Sequence, residues 1–176
     1  MDMLRLMFNE YEEERQIFPV ALAATAAPGL ISYRAPISHG IFIDPRQEAI
    51  TKRKWSTDAP AWRIATKGLN LEGNCTNFSC KAYNGSRVIH KWGKRNFDFF
   101  AQEHLCKCPI CNKYVQPITC GFYDTQWKIS GYKKESGSAP VKVKGQWNTA
   151  SSDGYTTFDD DLTTVIDWKE LKIEVR

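Results

Sequence analysis

The sequence predicts a mainly β fold of the α+β class: a small, metal-stapled antiparallel sheet domain preceded by an N-terminal amphipathic helix and an irregular arm. Three observations predict it. Apolar residues recur with a strand's period of two at positions 123–131, 141–147 and 171–176. All six cysteines crowd between positions 75 and 120, mostly in short pairs. Sustained helical periodicity is confined to the first turns of the chain. With 176 residues there is room for one domain and an arm, and we divide them at 1–61 and 62–176. A hydrophobic fraction of 42% excludes a disordered chain.

In chain order, Leu4, Met7, Phe8 and Tyr11 fall at i, i+3, i+4 and i+7, with Glu10, Glu12, Glu13 and Glu14 elsewhere around the helix. So short a helix is marginal alone in water, and its stripe must dock on its own core or on a partner protein. Prolines at 19, 28, 36, 45 and 60 then interrupt any period, which predicts the irregular arm, with a short strand near residues 41–43. Lys52-Arg53-Lys54 reads as a solvated turn. Residues 62–66 and 87–92 are expected as strands. Tyr123, Trp127 and Ile129 alternate with polar residues, as do Val141, Val143 and Trp147, and Gly137 between the two runs predicts an antiparallel pair. Leu171, Ile173 and Val175 supply the strand that closes the sheet.

The cysteine spacing is Cys75-x4-Cys80, then 27 residues, then Cys108-Pro-Ile-Cys111. Two short pairs separated by a hairpin's length of chain suit a closed four-thiolate zinc site. In Cys-x2-Cys a tight turn aims both sulfurs at one point while backbone N–H groups hydrogen-bond the thiolates. Pro109 fixes φ in that turn, and Asn112 accepts the left-handed conformation after it. One structural Zn²⁺ is therefore expected on Cys75, Cys80, Cys108 and Cys111, standing in for core that a small domain lacks.

Cys106 and Cys120 are left over. They are either buried apolar residues, or partners of His90 or His104 in a second site, or one of them displaces a member of the first set. A RING domain is excluded, because no cysteine or histidine follows Cys120. A disulfide framework would require secretion. Residues 17–27 have the look of a signal's apolar region, and sequons stand at Asn74, Asn77 and Asn84. The segment before that run is acidic where a signal is basic, so the expectation is an intracellular protein, in cytoplasm or nucleus. No apolar run nears the roughly 18 residues of a membrane span.

The expectation is a non-enzyme: the three histidines, His39, His90 and His104, belong to no His-Glu-x-x-His or His-x-Glu motif, and the one catalytic alternative left open is a Cys–His nucleophilic pair using His90 or His104. Asp159-Asp160-Asp161 reads as a solvated loop. Two binding functions remain. A protein partner is favoured by the free helical stripe, which makes the chain a non-catalytic zinc-stabilised adaptor. The alternative is a nucleic-acid-binding zinc ribbon that uses Arg87, Lys91, Trp92, Lys94 and Arg95, where basic and aromatic residues interleave. A net charge of +4 permits a polyanion without requiring one.

Trp62-Arg-Ile-Ala-Thr-Lys-Gly-Leu-Asn-Leu-Glu-Gly-Asn-Cys75, Cys80-Lys-Ala-Tyr83, Phe97-Asp98, Cys108-Pro-Ile-Cys111 and Pro117-Ile-Thr-Cys-Gly-Phe-Tyr123 together resemble a zinc-binding domain of uncharacterised protist and fungal proteins. Some of those proteins also carry ubiquitin-like or kinase-like segments. The resemblance spans residues 62–176, about two-thirds of the chain, and implies metal positions at Cys75, Cys80, Cys108 and Cys111. Residues 1–61 do not read as a ubiquitin-like fold.

Overall fold

Apolar alternation and β-branched content give eleven strands among residues 40–134 and 139–176, the residues described by the computed structural model. The stripe Leu4, Met7, Phe8 and Tyr11 and the turn at Gly137 lie outside them. One sheet comprises β1 (Gly40–Ile43), β5 (Phe97–Asp98), β7 (Thr125–Lys134), β8 (Val141–Val143), β9 (Asn148–Ala150) and β11 (Val165–Val175). The other comprises β2 (Ile50–Arg53), β3 (Gly68–Gly73), β4 (Val88–Gly93), β6 (Thr119–Tyr123) and β10 (Tyr155–Phe158), in the order β2-β10-β6-β3-β4. All pairings between these strands are antiparallel. One helical turn, α1 (Phe99–Gln102), is capped by Asp98, whose carboxylate accepts from the Ala101 N–H.

The strand period decides which side chains go inside. In β7, Thr125, Trp127, Ile129 and Gly131 are buried while their neighbours are not. Ile129 lies opposite Ile173 and Trp127 opposite Val175 on β11, so the two longest strands share one apolar face. That face meets the second sheet through Phe122, whose ring stacks on Trp127 with centroids 4.1 Å apart, and through Phe158, which meets Trp127 edge-on. Cys106 and Cys120 are buried in this core, which agrees with the first of the three readings given for them.

Several expectations are corrected. Residues 61–63 form a 3₁₀ turn rather than a strand, and that turn carries Arg63 inside. The run at 123–131 breaks at Asp124, whose φ of 46° separates β6 from β7. The last strand does not close the sheet from outside. It is an inner strand, pairing with β1 and β5 as well as with β7. Of residues 141–147 only the first three are strand, β8 does pair with β7 as expected, and Val141 and Trp147 lie at the surface. The short strand expected near residues 41–43 is β1, and β2 also lies within the segment read as an irregular arm, so the sheets begin upstream of Trp62. Of the basic turn, Lys52 and Arg53 belong to β2, where Lys52 pairs with Asp153 at 2.5 Å. No helix among the described residues is long and apolar enough to cross a membrane.

Candidate metal centre

Two segments converge beyond the end of β3. Residues 74–87 connect β3 to β4, and the 74–86 stretch of that loop carries Cys75 and Cys80. Residues 106–115 form a small hairpin in which the Cys108 N–H donates to the Lys113 carbonyl (2.9 Å) and the Val115 N–H to the Cys106 carbonyl (3.1 Å). Asn112 turns that hairpin with φ 58°, the left-handed conformation expected of it. The chain leaving the hairpin lies hard against β3. Ile118 N–H donates to the Glu72 carbonyl at 2.9 Å, and a Cβ on Gly73 would stand 2.1 Å from the Gln116 carbonyl oxygen. Only glycine permits that approach, and the approach brings the hairpin over the 74–86 loop.

The four sulfurs of Cys75, Cys80, Cys108 and Cys111 consequently lie within 4.8 Å of one another and could hold a metal ion. Cys75 Sγ and Cys111 Sγ are 3.7 Å apart, and Cys80 Sγ and Cys108 Sγ 3.8 Å. Tetrahedral coordination with metal–sulfur bonds of about 2.3 Å requires sulfur–sulfur edges of roughly 3.8 Å, so these edges fit. None of the six cysteines is in a disulfide. Around the site Ala82, Val88 and Val115, with half-buried Trp62, form a small apolar cluster separate from the main core.

Backbone N–H groups point at the sulfurs. Cys75 receives the N–H of Asn77, Cys80 that of Ala82 (3.4 Å) and Cys111 that of Lys113. In each case the donor lies two residues beyond the cysteine, a turn geometry that stabilises thiolate. The protons of the metal-free cluster are unevenly held. Burial, followed by its neighbouring thiols, pushes the Cys75 thiol up to about 12. The Asn77 side chain and the Lys113 N–H pull Cys111 down to about 6. A metal must displace the remaining protons, so its affinity is expected to rise with pH, and to fall more steeply below about pH 6, where Cys111 also holds its proton. Competition with a metallochromic chelator between pH 5 and 8 measures this. A flat profile would argue against thiolate ligands.

Next to the site lies a buried charge network that sequence reasoning missed. Glu72, on β3, accepts from Arg63 Nη1 at 2.6 Å and from the Tyr155 hydroxyl at 2.7 Å, and Arg63 and Glu72 are each 1% exposed. Arg63 also donates to the Arg87 carbonyl at 2.9 Å. Arg87 grips Asp160 with two hydrogen bonds of 2.9 and 2.8 Å. Burial works against the Arg87 charge, but Asp160 and Glu72 outweigh it and hold its pKa above the ordinary value. The network ties the 61–63 turn, β3, β10, the start of β4 and the 159–161 loop together immediately before Cys75.

The basic set foreseen for nucleic acid is divided by the fold. Trp92 is buried, with the Arg95 guanidinium stacked 4.6 Å from its ring centre, and Arg87 is committed to Asp160, so neither offers a free surface to bases or phosphates. Lys91, Lys94 and Arg95 are exposed. His90 Nδ1 lies 3.2 Å from both the carbonyl oxygen and the N–H of Lys107, and burial, followed by the charges of Arg95 and Lys107, lowers its pKa although the hydrogen bond to the Lys107 backbone works the other way. His104 is exposed, and Cys106 sits in the core with its thiol pushed up to about 12, mainly by burial. No family model, curated protein or solved structure matches the chain.

Proposed function

We propose that one structural zinc ion joins Cys75, Cys80, Cys108 and Cys111, and that the chain is a non-catalytic module engaging a protein partner through the surface this ion holds in place. Zinc is supported by the all-thiolate donor set, by sulfur spacings that suit a tetrahedral ion, and by a closed site whose donors are all spent on the metal. Reduced thiolates persist in a reducing compartment, which supports a place in the cytoplasm or nucleus.

The observation that carries the binding role is Phe78, which is 83% exposed at the tip of the loop between Cys75 and Cys80. Ile110, in the loop between Cys108 and Cys111, and Tyr83, just past Cys80, are also exposed. Apolar side chains held out to water on loops fixed by a metal are surface that a partner covers. A photo-crosslinking amino acid at position 78 tests this, with position 162, also exposed, as the control. The expected result is a crosslinked protein from position 78 that unlabelled wild type competes away and that Ile110→Asp abolishes. Equal labelling from position 162, or crosslinks to nucleic acid alone, would contradict the reading.

A further inference from the structure

Charge is distributed unevenly along the chain. Residues 73–97 and 104–123, which carry all four metal-site cysteines, contain seven of the 24 lysines and arginines and none of the 20 acidic residues. The rest of the chain has 17 basic residues against 20 acidic ones, so the positive net charge of +4 is carried by the two cysteine segments. A zinc tetrathiolate core has a formal charge of about −2, which answers only part of this excess.

The positive side chains are placed around the same loops as the exposed apolar ones. Lys81 follows Cys80, Lys107 precedes Cys108, and Lys113 lies two residues after Cys111; all three are exposed. Lys107 is bridged across the hairpin to Tyr114, and Lys91 is exposed on β4 beside His90, whose ring meets the Lys107 backbone. None of these four lysines is in an ion pair with another described residue. Glu103, the acid nearest the hairpin in sequence, is occupied in accepting from the Tyr114 hydroxyl. Phe78, Tyr83, Ile110 and Leu105 stand exposed on the same two segments.

Resting on the protein-binding reading above, we infer that the metal end recognises an acidic peptide segment in which Asp or Glu residues are interspersed with large apolar ones. Carboxylates answer Lys81, Lys107 and Lys113, and apolar side chains cover Phe78 and Ile110. Aliphatic Ile110 and Leu105, exposed beside these lysines, suit the apolar side chains of a peptide better than a base. Charge complementarity speeds and selects the encounter, and apolar burial retains the complex.

Fluorescence anisotropy with four labelled probes tests the inference on the zinc-loaded full chain: a peptide alternating Glu with Leu and Phe, its Ser-for-Glu counterpart, its Lys-for-Glu counterpart, and an oligo-dT of similar length. The Glu peptide is expected to bind at least about tenfold tighter than the Ser peptide, and to lose roughly tenfold between about 50 and 300 mM salt. Lys81→Glu with Lys113→Glu should reverse the preference toward the Lys peptide, and Phe78→Ser should weaken both. These positions are exposed, and unchanged zinc content verifies that the variants are folded. Equal binding of the Glu and Ser peptides would overturn the acidic preference while leaving the protein-binding reading standing. Binding of oligo-dT alone, or of none of the probes, would overturn both.

Discussion

Cys75→Ser is expected to release the metal and unfold the metal end of the molecule, and Cys111→Ser to do the same. Binding of structural zinc to four thiolates is worth about 10–16 kcal/mol at neutral pH, as large as the whole net stability of an ordinary domain, about 5–15 kcal/mol. What remains without the ion is a cluster built on Ala82, Val88 and Val115, too little apolar surface to order the 74–86 loop and the hairpin. Because Gly73 and Ile118 couple that hairpin to β3, the loss reaches the five-stranded sheet. A stability loss of at least about 5 kcal/mol should appear as a fall of roughly 10–20 °C in the thermal midpoint. Cys106→Ser is the matched control. It places a hydroxyl in the main core at a cost of about 1–3 kcal/mol and leaves the zinc content unchanged. A Cys75→Ser protein that keeps stoichiometric zinc and the wild-type midpoint would contradict the account.

Glu72→Ala should be nearly as damaging, although Glu72 touches no sulfur. It removes the carboxylate that Arg63, at 2.6 Å, and Tyr155, at 2.7 Å, both donate to. Removing one member of a buried ion pair costs about 3–5 kcal/mol, because the other charge is left without its counter-ion in a low dielectric. The Tyr155 ring cannot retreat toward water. It lies over Gly121, where any Cβ would come within 2.4 Å of its atoms. Urea denaturation should show a lowered midpoint with the slope preserved. Replacing both partners, Arg63→Met with Glu72→Leu, should cost less than Glu72→Ala alone, since two apolar groups leave no buried charge. A loss under about 1 kcal/mol for Glu72→Ala would show that the network contributes little.

How much of this was legible in the sequence follows from the range of the signals. Period-two alternation reports a strand with one wet face, and β7 and β11 were readable for that reason. β3 is buried at all six positions, so the alternation of Leu69 and Leu71 with Asn70 and Glu72 reads as a strand with one wet face when both faces are in fact covered. Asn70 is satisfied locally by the Thr66 backbone. Glu72 is satisfied by Tyr155, 83 residues away, a pairing for which no local pattern exists. Cysteine spacing, by contrast, is a local signal of a nonlocal site: each pair is arranged by its own turn, and the fold has only to bring two turns together. The basic run at 87–95 is ambiguous in the sequence because interleaved charge and aromatic residues look alike whether the tryptophan faces solvent or core. The strand period does not reveal which, since the Trp92 face is closed by Arg95 and Phe97.

The most direct measurement is elemental analysis of the purified full chain by mass spectrometry, with protein quantified independently. The account predicts one zinc per chain, lost on Cys75→Ser and retained on Cys106→Ser. Two zinc ions per chain, stoichiometric iron in place of zinc, or a folded protein with no bound metal would contradict it.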